Sequence, residues 1–329
     1  MIKIDLITGF LGSGKTTFIR QYVSHLINSG LKVAILENDY GAVNVDMLLL
    51  HELEEQGCGL EMIAGGCDYD CHVRRFRTKL ISMAMQGFDR VIVEPSGIFD
   101  ADEFFDLLHD EPIDRWYEAG SVIGIVDAGL PDDLSYESDY FLVSQLANAG
   151  LVVMSRTQEY GSDRIKKTID HINSAMGKFS CERRFAEGEV LTKPWADFEE
   201  ADFVRFTEVG ICPADHIKLQ VQDENGFQSL YFLDIPMPVD VLKALAEELF
   251  LDEKRYGRVI RIKGFHFEDG KWFELNAAHS ETSVRECGAG QEVFLVIGEN
   301  LCQEKIAERV IPARMRDKVW HNGQVYKGE

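Results

Sequence analysis

Residues 9–16, GFLGSGKT, have the types and spacing of a phosphate-binding loop. Glycines let the backbone curl so that its N–H groups point at phosphate oxygens, and the start of the following helix adds a favourable potential. Lys15 is expected to bring a positive charge to the β- and γ-phosphates, and Thr16 to offer its hydroxyl to Mg²⁺. The predicted nucleotide-binding residues of this stretch are Gly9, Gly12, Ser13, Gly14, Lys15, Thr16 and Thr17.

Two acidic stretches follow later apolar runs and are expected to face this loop. LENDYG carries Glu37 and Asp39 at the end of the second run, and VEPSG carries Glu94 and Gly97 at the end of the third. The carboxyl ends of neighbouring parallel strands meet at one edge of a sheet, so these groups would lie near bound phosphates. Glu94 is predicted to hold Mg²⁺ with Thr16, and Gly97 to present its N–H to the γ-phosphate. Lys15, Asp39 and Glu94 are the predicted catalytic residues.

A third group of reactive residues is GGCDYDCH, residues 65–72, which combines two thiols, two carboxylates and an imidazole. A metal site is one interpretation, because thiolate, imidazole and carboxylate are the ligands that transition metals take in proteins. A capped helix start, with Asp68 or Asp70 as the N-cap, is another. A reversible disulfide between Cys67 and Cys71 is a third. The residues alone leave all three open.

The order of elements predicts how these groups are positioned. The apolar runs IKIDLIT, KVAILEN, DRVIVEP, SVIGIVD and LVVMS are nearly continuous, as in parallel strands buried on both faces, with helical stretches between them. We therefore expect a doubly wound, mostly parallel α/β domain of the P-loop NTPase type over residues 1–208. Strand-like runs then cluster, among them HIKLQVQ and SLYFLDI, and predict a smaller α+β domain over residues 209–329 that ends in a short tail.

Composition narrows the classes of function. The chain has 329 residues and a formal net charge of −22, which disfavours nucleic acid and anionic membranes as partners and favours cations and basic surfaces. There is no apolar run of membrane-spanning length and no signal-peptide pattern at the start. Seven cysteines at irregular spacing do not form a secreted disulfide framework, so reduced thiols and a cytoplasmic location are expected.

Together the motifs resemble the CobW-type family of P-loop GTPases, relatives of the urease and hydrogenase nickel-maturation GTPases. The matching elements are TGFLGSGKTT, ENDYGAVNVD, GGC, EPSG, VDA and QLANAGLVV, followed by GRVIRIKGF and VFLVIGENL in the second domain. The resemblance implies a slow GTP hydrolase that binds a divalent transition metal and delivers it to a client metalloprotein. Whether the chain forms a homodimer is left open.

The cysteine segment departs from the family pattern. The family carries Cys-x-Cys-Cys after the glycine, whereas here Cys67 is followed by Asp68, Tyr69 and Asp70 before Cys71. The resemblance then implies a site of Cys67, Cys71, His72 and Glu37, the last in the loop that the family uses. Such a set is richer in oxygen than an all-thiolate site, so its affinity for Zn²⁺ or Cu⁺ should fall and Co²⁺, Ni²⁺ or Fe²⁺ becomes more acceptable. The expected cargo is Zn²⁺ or Co²⁺.

The family's guanine motif, Asn-Lys-x-Asp, is also altered. Its place after LVVM reads Ser155, Arg156, Thr157 and Gln158. Arg156 could stack beneath a base, but Gln158 offers one carbonyl where two carboxylate oxygens are wanted, so discrimination for guanine should weaken by about 1–3 kcal/mol. GTP stays the expected nucleotide, with ATP as the alternative.

Two other functions are compatible with the same residues. One is a P-loop kinase acting on a small molecule, in which the second domain binds the acceptor. The other is a nucleotide-dependent accessory protein for a corrinoid or other metalloenzyme, without a metal site of its own. Release of free phosphate with no phosphorylated acceptor would distinguish hydrolysis from the kinase.

Overall fold

The computed structural model describes residues 1–10, 12–39, 50, 53–64, 69–95, 101–186, 188–219, 227–235, 237–278, 281–287, 292–311, 320–321 and 324–325. The chain separates into two compact units, Met1–Leu219 and Gln220–Glu329. This division falls further along the chain than the predicted domain boundary between residues 208 and 209, which stays a prediction.

The first unit is built on a parallel sheet. Its strands are β1 Ile2–Thr8, β2 Val33–Asp39, β3 Gly59–Ala64, β4 Arg90–Pro95, β5 Tyr117–Asp127, β6 Leu151–Ser155 and β7 Val190–Leu191. They lie in the order β3-β2-β4-β1-β5-β6-β7, and every pair is parallel. After β1, the chain continues to β2 and β3 on one side of β1, and after β4 it continues to β5 and β6 on the other side. The strand order therefore reverses beside β1, which is where ligands of such sheets bind. The predicted doubly wound fold is confirmed.

Helices cover both faces of this sheet. They are α1 Lys15–Asn28, α2 Tyr69–Ala84, α3 Ala101–Leu108, α4 Tyr136–Ala147, α5 Ser162–Lys178 and α6 Glu200–Glu208. Alternate residues of β1 enter different cores: Ile4 and Leu6 pack in the core that includes Phe76 of α2, and Ile7 packs in the core that includes Phe18 of α1. Since each buried aliphatic or aromatic side chain contributes about 1.5–3 kcal/mol, the two cores hold the carboxyl ends of the strands in place.

Two strands of this sheet, β3 and β7, were not predicted. β3 has the sequence GLEMIA and lies at the edge, paired only with β2 among the described strands. The strand that ends near Glu94 is therefore the fourth along the chain, and its prediction as the third was wrong. Met62 is exposed and Glu61 forms an ion pair with Lys79, so this edge strand lacks the continuous apolar run by which the central strands were recognised.

The second unit is an antiparallel sheet with helices. Its strands are β8 Phe227–Leu233, β9 Arg258–Glu268, β10 Lys271–Ala278, β11 Glu281–Cys287 and β12 Val293–Glu299, in the order β11-β10-β9-β12-β8. The helices are α7 Val239–Leu251, α8 Glu253–Tyr256 and α9 Gln303–Val310, and a small hairpin pairs β13 Trp320–His321 with β14 Gln324–Val325. The predicted α+β character is confirmed.

The prediction of a strand in HIKLQVQ was wrong for its described part, residues 216–219, which has no regular secondary structure. The backbone N–H of Ile217 donates instead to Phe179 O at 2.8 Å, so the segment follows the end of α5 and forms no sheet ladder. Within the described residues, no helix is both long and apolar enough to cross a bilayer.

Candidate functional site

The predicted phosphate-binding loop connects β1 to α1, and two of its glycines are required by close contacts. A Cβ at Gly9 would lie 2.2 Å from Ile125 O of β5, which is backbone that cannot move aside. Gly14 has φ +100°, a left-handed conformation that costs other residues free energy, and a Cβ there would lie 3.1 Å from Trp195 Cη2. The loop therefore adopts a shape that only glycine allows at these positions.

Lys15 and Thr16 begin α1, and both are buried. Lys15 Nζ donates to Gly9 O at 2.8 Å, so the ammonium lies over the loop. The first N–H groups of a helix have no partner within the helix, and they point to the same side as this charge. The loop thus combines a cation with backbone donors, which is what binding of a polyphosphate needs.

Thr16 and Glu94, the two residues predicted to hold Mg²⁺, contact each other. Thr16 Oγ1 donates to Glu94 Oε1 at 2.9 Å, and Glu94 is 4% exposed near the end of β4. A threonine hydroxyl and a carboxylate both offer oxygen atoms, which are the ligands that Mg²⁺ prefers. The residues present therefore fit Mg²⁺.

Glu37 lies beside Glu94. The two residues are in register on adjacent parallel strands, so their side chains leave the same face of the sheet, and Glu37 is 3% exposed. Its prediction as a loop residue was wrong, because β2 continues through Asp39. The side chain of Asp39 and all of Gly97 lie outside the described residues, so their predicted roles stay predictions.

The end of β6, where the nucleotide base is predicted to bind, contains an ion pair that was not predicted. Arg156 follows β6 with φ +55°, its Nη1 donates to Asp127 Oδ2, and its Nη2 reaches Gly12 O of the phosphate-binding loop at 3.4 Å. Asp127 ends β5 and accepts a second hydrogen bond, from Gly129 N at 2.8 Å. Because Arg156 contacts Asp127 and Gly12 across 29 and 144 residues of the chain, no local pattern in the sequence indicated this arrangement.

In the structure, only part of the altered guanine motif lies beside the phosphate-binding loop. Ser155 and Arg156 lie next to the loop, and the Ser155 Cβ is 3.6 Å from the point where a Gly14 Cβ would stand. Gln158 is exposed in a 3-10 turn, and its amide nitrogen is 3.4 Å from Glu159 Oε1. The only exposed residue of the predicted loop set is Thr17.

Buried hydroxyl groups around the loop have unused hydrogen-bonding capacity. Ser13 Oγ and Ser155 Oγ are both shielded from solvent and have no hydrogen-bond partner among the described residues. Buried polar groups are almost always paired, so each such group indicates a ligand or a water molecule. Both hydroxyls belong to residues predicted to bind nucleotide.

The cysteine segment is described only in part. Cys67 lies outside the described residues, and Cys71 and His72 belong to the first turn of α2, where the backbone alone is described. Among residues with described side chains, no cluster of three or more histidine, cysteine or acidic residues could hold a metal. Asp70 lies inside α2, so its alternative role as the N-cap was wrong.

Cys58, which the sequence did not place in any site, is buried in the core between α1 and the sheet. Burial raises the pKa of its thiol to about 12. Such a thiol stays protonated near neutral pH and is inert toward metals, which have thiolate as their ligand. Cys58 is structural.

Comparisons with known proteins agree with this geometry. The family model described as CobW/HypB/UreG, nucleotide-binding domain, matches residues 3–181. The zinc chaperone YeiR of Escherichia coli (strain K12) is 33% identical over 158 residues, which is 48% of this chain and only about half, 47%, of YeiR. The zinc chaperone YjiA of the same organism is 24% identical over 283 residues, 82% of this chain and 83% of YjiA.

A solved structure of Zn(II)-bound YjiA GTPase from E. coli aligns over 94% of this chain and 97% of its own, at 18% identity and a TM-score of 0.38. At that TM-score the likeness supports no conclusion about the site. The family model, by contrast, covers more than half of the chain and includes the loop, both acidic strand ends and Arg156. The chain belongs to the CobW/HypB/UreG family through its nucleotide-binding domain.

Proposed function

We propose that the chain binds a nucleoside triphosphate, with GTP as the first choice, hydrolyses it slowly, and couples hydrolysis to the binding and delivery of a transition metal. The single observation that carries the nucleotide part is the buried Thr16–Glu94 hydrogen bond beside Lys15. A buried acid, hydroxyl and ammonium at the head of a glycine loop have little structural reason to be together, but they suit a magnesium triphosphate.

Each of these residues has a part in the reaction. Lys15 stabilises negative charge on the β- and γ-phosphate oxygens, which increases as the terminal bond breaks. Thr16 and Glu94 hold Mg²⁺, which supplies further neutralisation of that charge when bound. Asp39, at the end of β2, is proposed to orient the attacking water, whose oxygen takes the terminal phosphoryl group from the nucleoside diphosphate. Positioning and electrostatics without a strong base predict slow turnover.

The proposed cargo site is Cys67, Cys71, His72 and Glu37, with Zn²⁺ or Co²⁺ as the metal that is carried. Its support is topological: β3 ends at Ala64 beside the end of β2, the strand that carries Glu37, and Cys67 follows three residues later in the sequence. Two relatives, YeiR and YjiA, are named zinc chaperones. Two thiolates, an imidazole and a carboxylate would complete a tetrahedral site.

Coupling would arise because one short stretch of the sheet edge holds both sites. Glu37 and Glu94 occupy paired positions on β2 and β4, about 4.8 Å apart as neighbouring strands are. A γ-phosphate that shifts Glu94 would alter the position of the neighbouring strand end that carries Glu37. The recipient is proposed to be a client metalloprotein, and the acidity of the chain suits a basic docking surface.

The test is to purify the chain without chelator or tag and titrate Zn²⁺ in the presence of GTP, of GDP and of no nucleotide. We expect one tight Zn²⁺ that is lost in Cys67→Ser and Cys71→Ser, with an affinity that depends on the nucleotide. Cys58→Ser is the matched control, since that buried thiol should not contribute. Equal Zn²⁺ affinity in all three states would remove the coupling, and phosphate release no faster than in Lys15→Ala would remove hydrolysis.

A further inference from the structure

Trp195 lies against the phosphate-binding loop, although it comes late in the first unit. Its indole edge is close to Gly14: Cη2 and Cζ3 lie 3.1 and 3.5 Å from the point where a Gly14 Cβ would stand. Its Nε1 donates to Met154 O at 2.8 Å, one residue before Ser155 at the end of β6. The Trp195 side chain therefore connects the phosphate-binding loop to β6, the strand at whose end the nucleotide base is predicted to bind.

The segment around Trp195 is fixed by its own contacts. Lys193 Nζ binds Asp202 at 2.8 Å and Glu199 at 3.4 Å, and Glu199 and Asp202 together form a capping box at the start of α6. Pro194 precedes the 3-10 turn and restricts the backbone there. Trp195 is therefore presented to Gly14 by a segment that is anchored on the helix that follows it.

Two side chains thus hold the loop from the β6 side. Arg156 reaches Gly12 O, and Trp195 packs on Gly14, two residues further along. Gly14 is in a left-handed conformation that a glycine leaves easily, because its alternatives cost little. The indole packs against Gly14 and so limits the other backbone conformations that this glycine could adopt.

We propose that Trp195 is a positioning residue of the nucleotide site, which keeps Gly14 and the end of β6 in the arrangement that binds the triphosphate. This inference rests on the proposed nucleotide binding. The simpler reading is that Trp195 only fills the core, because its ring also contacts Phe18 at 5.8 Å and Phe198 at 6.3 Å between centroids. The two interpretations predict different nucleotide affinities for variants that are destabilised to the same extent.

Phe203 offers the matched control. It belongs to the same aromatic cluster, with ring contacts to His25, Phe198 and Phe206, and none of its ring contacts is to a residue of the loop. Phe203→Ala should lower the thermal midpoint as Trp195→Ala does but leave nucleotide affinity unchanged. Trp195→Phe keeps an aromatic ring in the cluster but loses the outer indole atoms that lie near Gly14 and the hydrogen bond to Met154 O.

The experiment measures the Kd of Mg²⁺-GTP by calorimetry, with thermal unfolding of each variant, in the full chain. We expect Trp195→Ala to weaken binding by about tenfold or more, Trp195→Phe by less, and Phe203→Ala by under twofold, where tenfold in Kd corresponds to 1.4 kcal/mol. We also expect GTP to change the tryptophan fluorescence of the wild type, and this change to disappear in Trp195→Phe.

The outcomes separate the two proposals. Wild-type affinity in Trp195→Ala, or the same loss in Phe203→Ala, would overturn the role of Trp195 and leave the proposed function intact. Absence of GTP and ATP binding by the wild type would overturn the proposed function, and the inference with it. If Trp195→Ala does not fold, Trp195→Phe decides through its fluorescence and its Kd.

Discussion

At the scale of single residues, the candidate site contains charged side chains that are buried, and the binding of a charged ligand would explain their burial. Glu94 is nearly inaccessible to solvent and accepts a hydrogen bond from Thr16. Lys15 is also nearly inaccessible to solvent and donates a hydrogen bond to the backbone carbonyl of Gly9. Burying charge is costly without compensation, and natural proteins retain such groups chiefly where they act. The loop pattern fixes the spacing of Lys15 and Thr16, whereas Glu94 was proposed only from its place at the end of an apolar run, and the structure places it within hydrogen-bond distance of Thr16.

Thr16→Ala should remove the contribution of Mg²⁺ to nucleotide affinity. The hydroxyl is the ligand that Thr16 offers to the cation, and its loss also leaves Glu94 without that hydrogen-bond donor. We expect Kd for GTP with Mg²⁺ to rise about tenfold or more, equivalent to 1.4 kcal/mol, while Kd measured with EDTA changes little. Thr16→Ser keeps the hydroxyl and should bind as the wild type does. An equal effect with and without Mg²⁺ would contradict the assignment.

Gln158→Asp should raise the preference for GTP over ATP. The exposed amide of Gln158 lies near Glu159, and a carboxylate in its place can accept from two guanine donors at once, with charge assistance. We expect the ratio of the two dissociation constants to shift toward GTP by about tenfold, since such contacts contribute roughly 1–3 kcal/mol. Competition binding of GTP and ATP measures it, with Gln158→Asn as the uncharged control. An unchanged ratio would mean that another residue selects the base.

At the scale of elements, prediction succeeded where a strand is buried on both faces and failed where it is not. β1, β4, β5 and β6 are continuous apolar runs, which is the pattern of a central parallel strand. β3 has exposed and charged residues on an edge, and β7 has only two residues, so neither carries that pattern. The Asp127–Arg156 pair and the Trp195 contact depend on chain reversals that no local pattern encodes.

The pairing of α4 with α5 is predicted to weaken in acid. Asp139 is fully buried on α4 and binds His171 Nε2 at 2.8 Å and also Lys178, both on α5. Burial alone would raise the pKa of this carboxyl, but the two hydrogen bonds outweigh it, so the pKa lies below the usual 3.8. A lowered pKa stabilises the fold above the usual carboxyl range, and that contribution is lost as pH falls through the native pKa.

Asp139→Asn should therefore destabilise the protein at pH 7 by about 1–3 kcal/mol, because His171 and Lys178 lose a charged hydrogen-bond acceptor. Urea unfolding of both proteins at pH 7 and near pH 3 measures the effect. The difference between wild type and variant should become smaller in acid, where the wild-type carboxyl protonates. A difference that does not depend on pH would show that the charge of Asp139 is unimportant. Asp132→Asn is a control, since its ion pair with Arg164 lies on the exposed surface.

At the scale of the whole molecule, the question is where the nucleotide-binding domain ends. Sequence reasoning placed its end at residue 208, after the last helical pattern of the first domain. Residues 209–219 have little regular structure, yet they bind the first unit: Gly210 O accepts from Val122 N at 3.0 Å, and Cys212 N donates to Asn148 O at 3.2 Å. Ile211 also forms a β-bridge with Ala149.

These contacts predict that a fragment of residues 1–219 folds and binds nucleotide, and that a fragment of residues 1–208 is less stable. The longer fragment keeps the Val122 and Asn148 bonds and the bond from Ile217 N to Phe179 O, whereas the shorter one exposes those groups. At about 0.5–1.5 kcal/mol for each of these three hydrogen bonds, the difference should be about 1.5–4.5 kcal/mol. Urea unfolding and GTP affinity of the two fragments decide the boundary. Equal stability would place the end of the domain at residue 208, as the sequence predicted, and make residues 209–219 a linker.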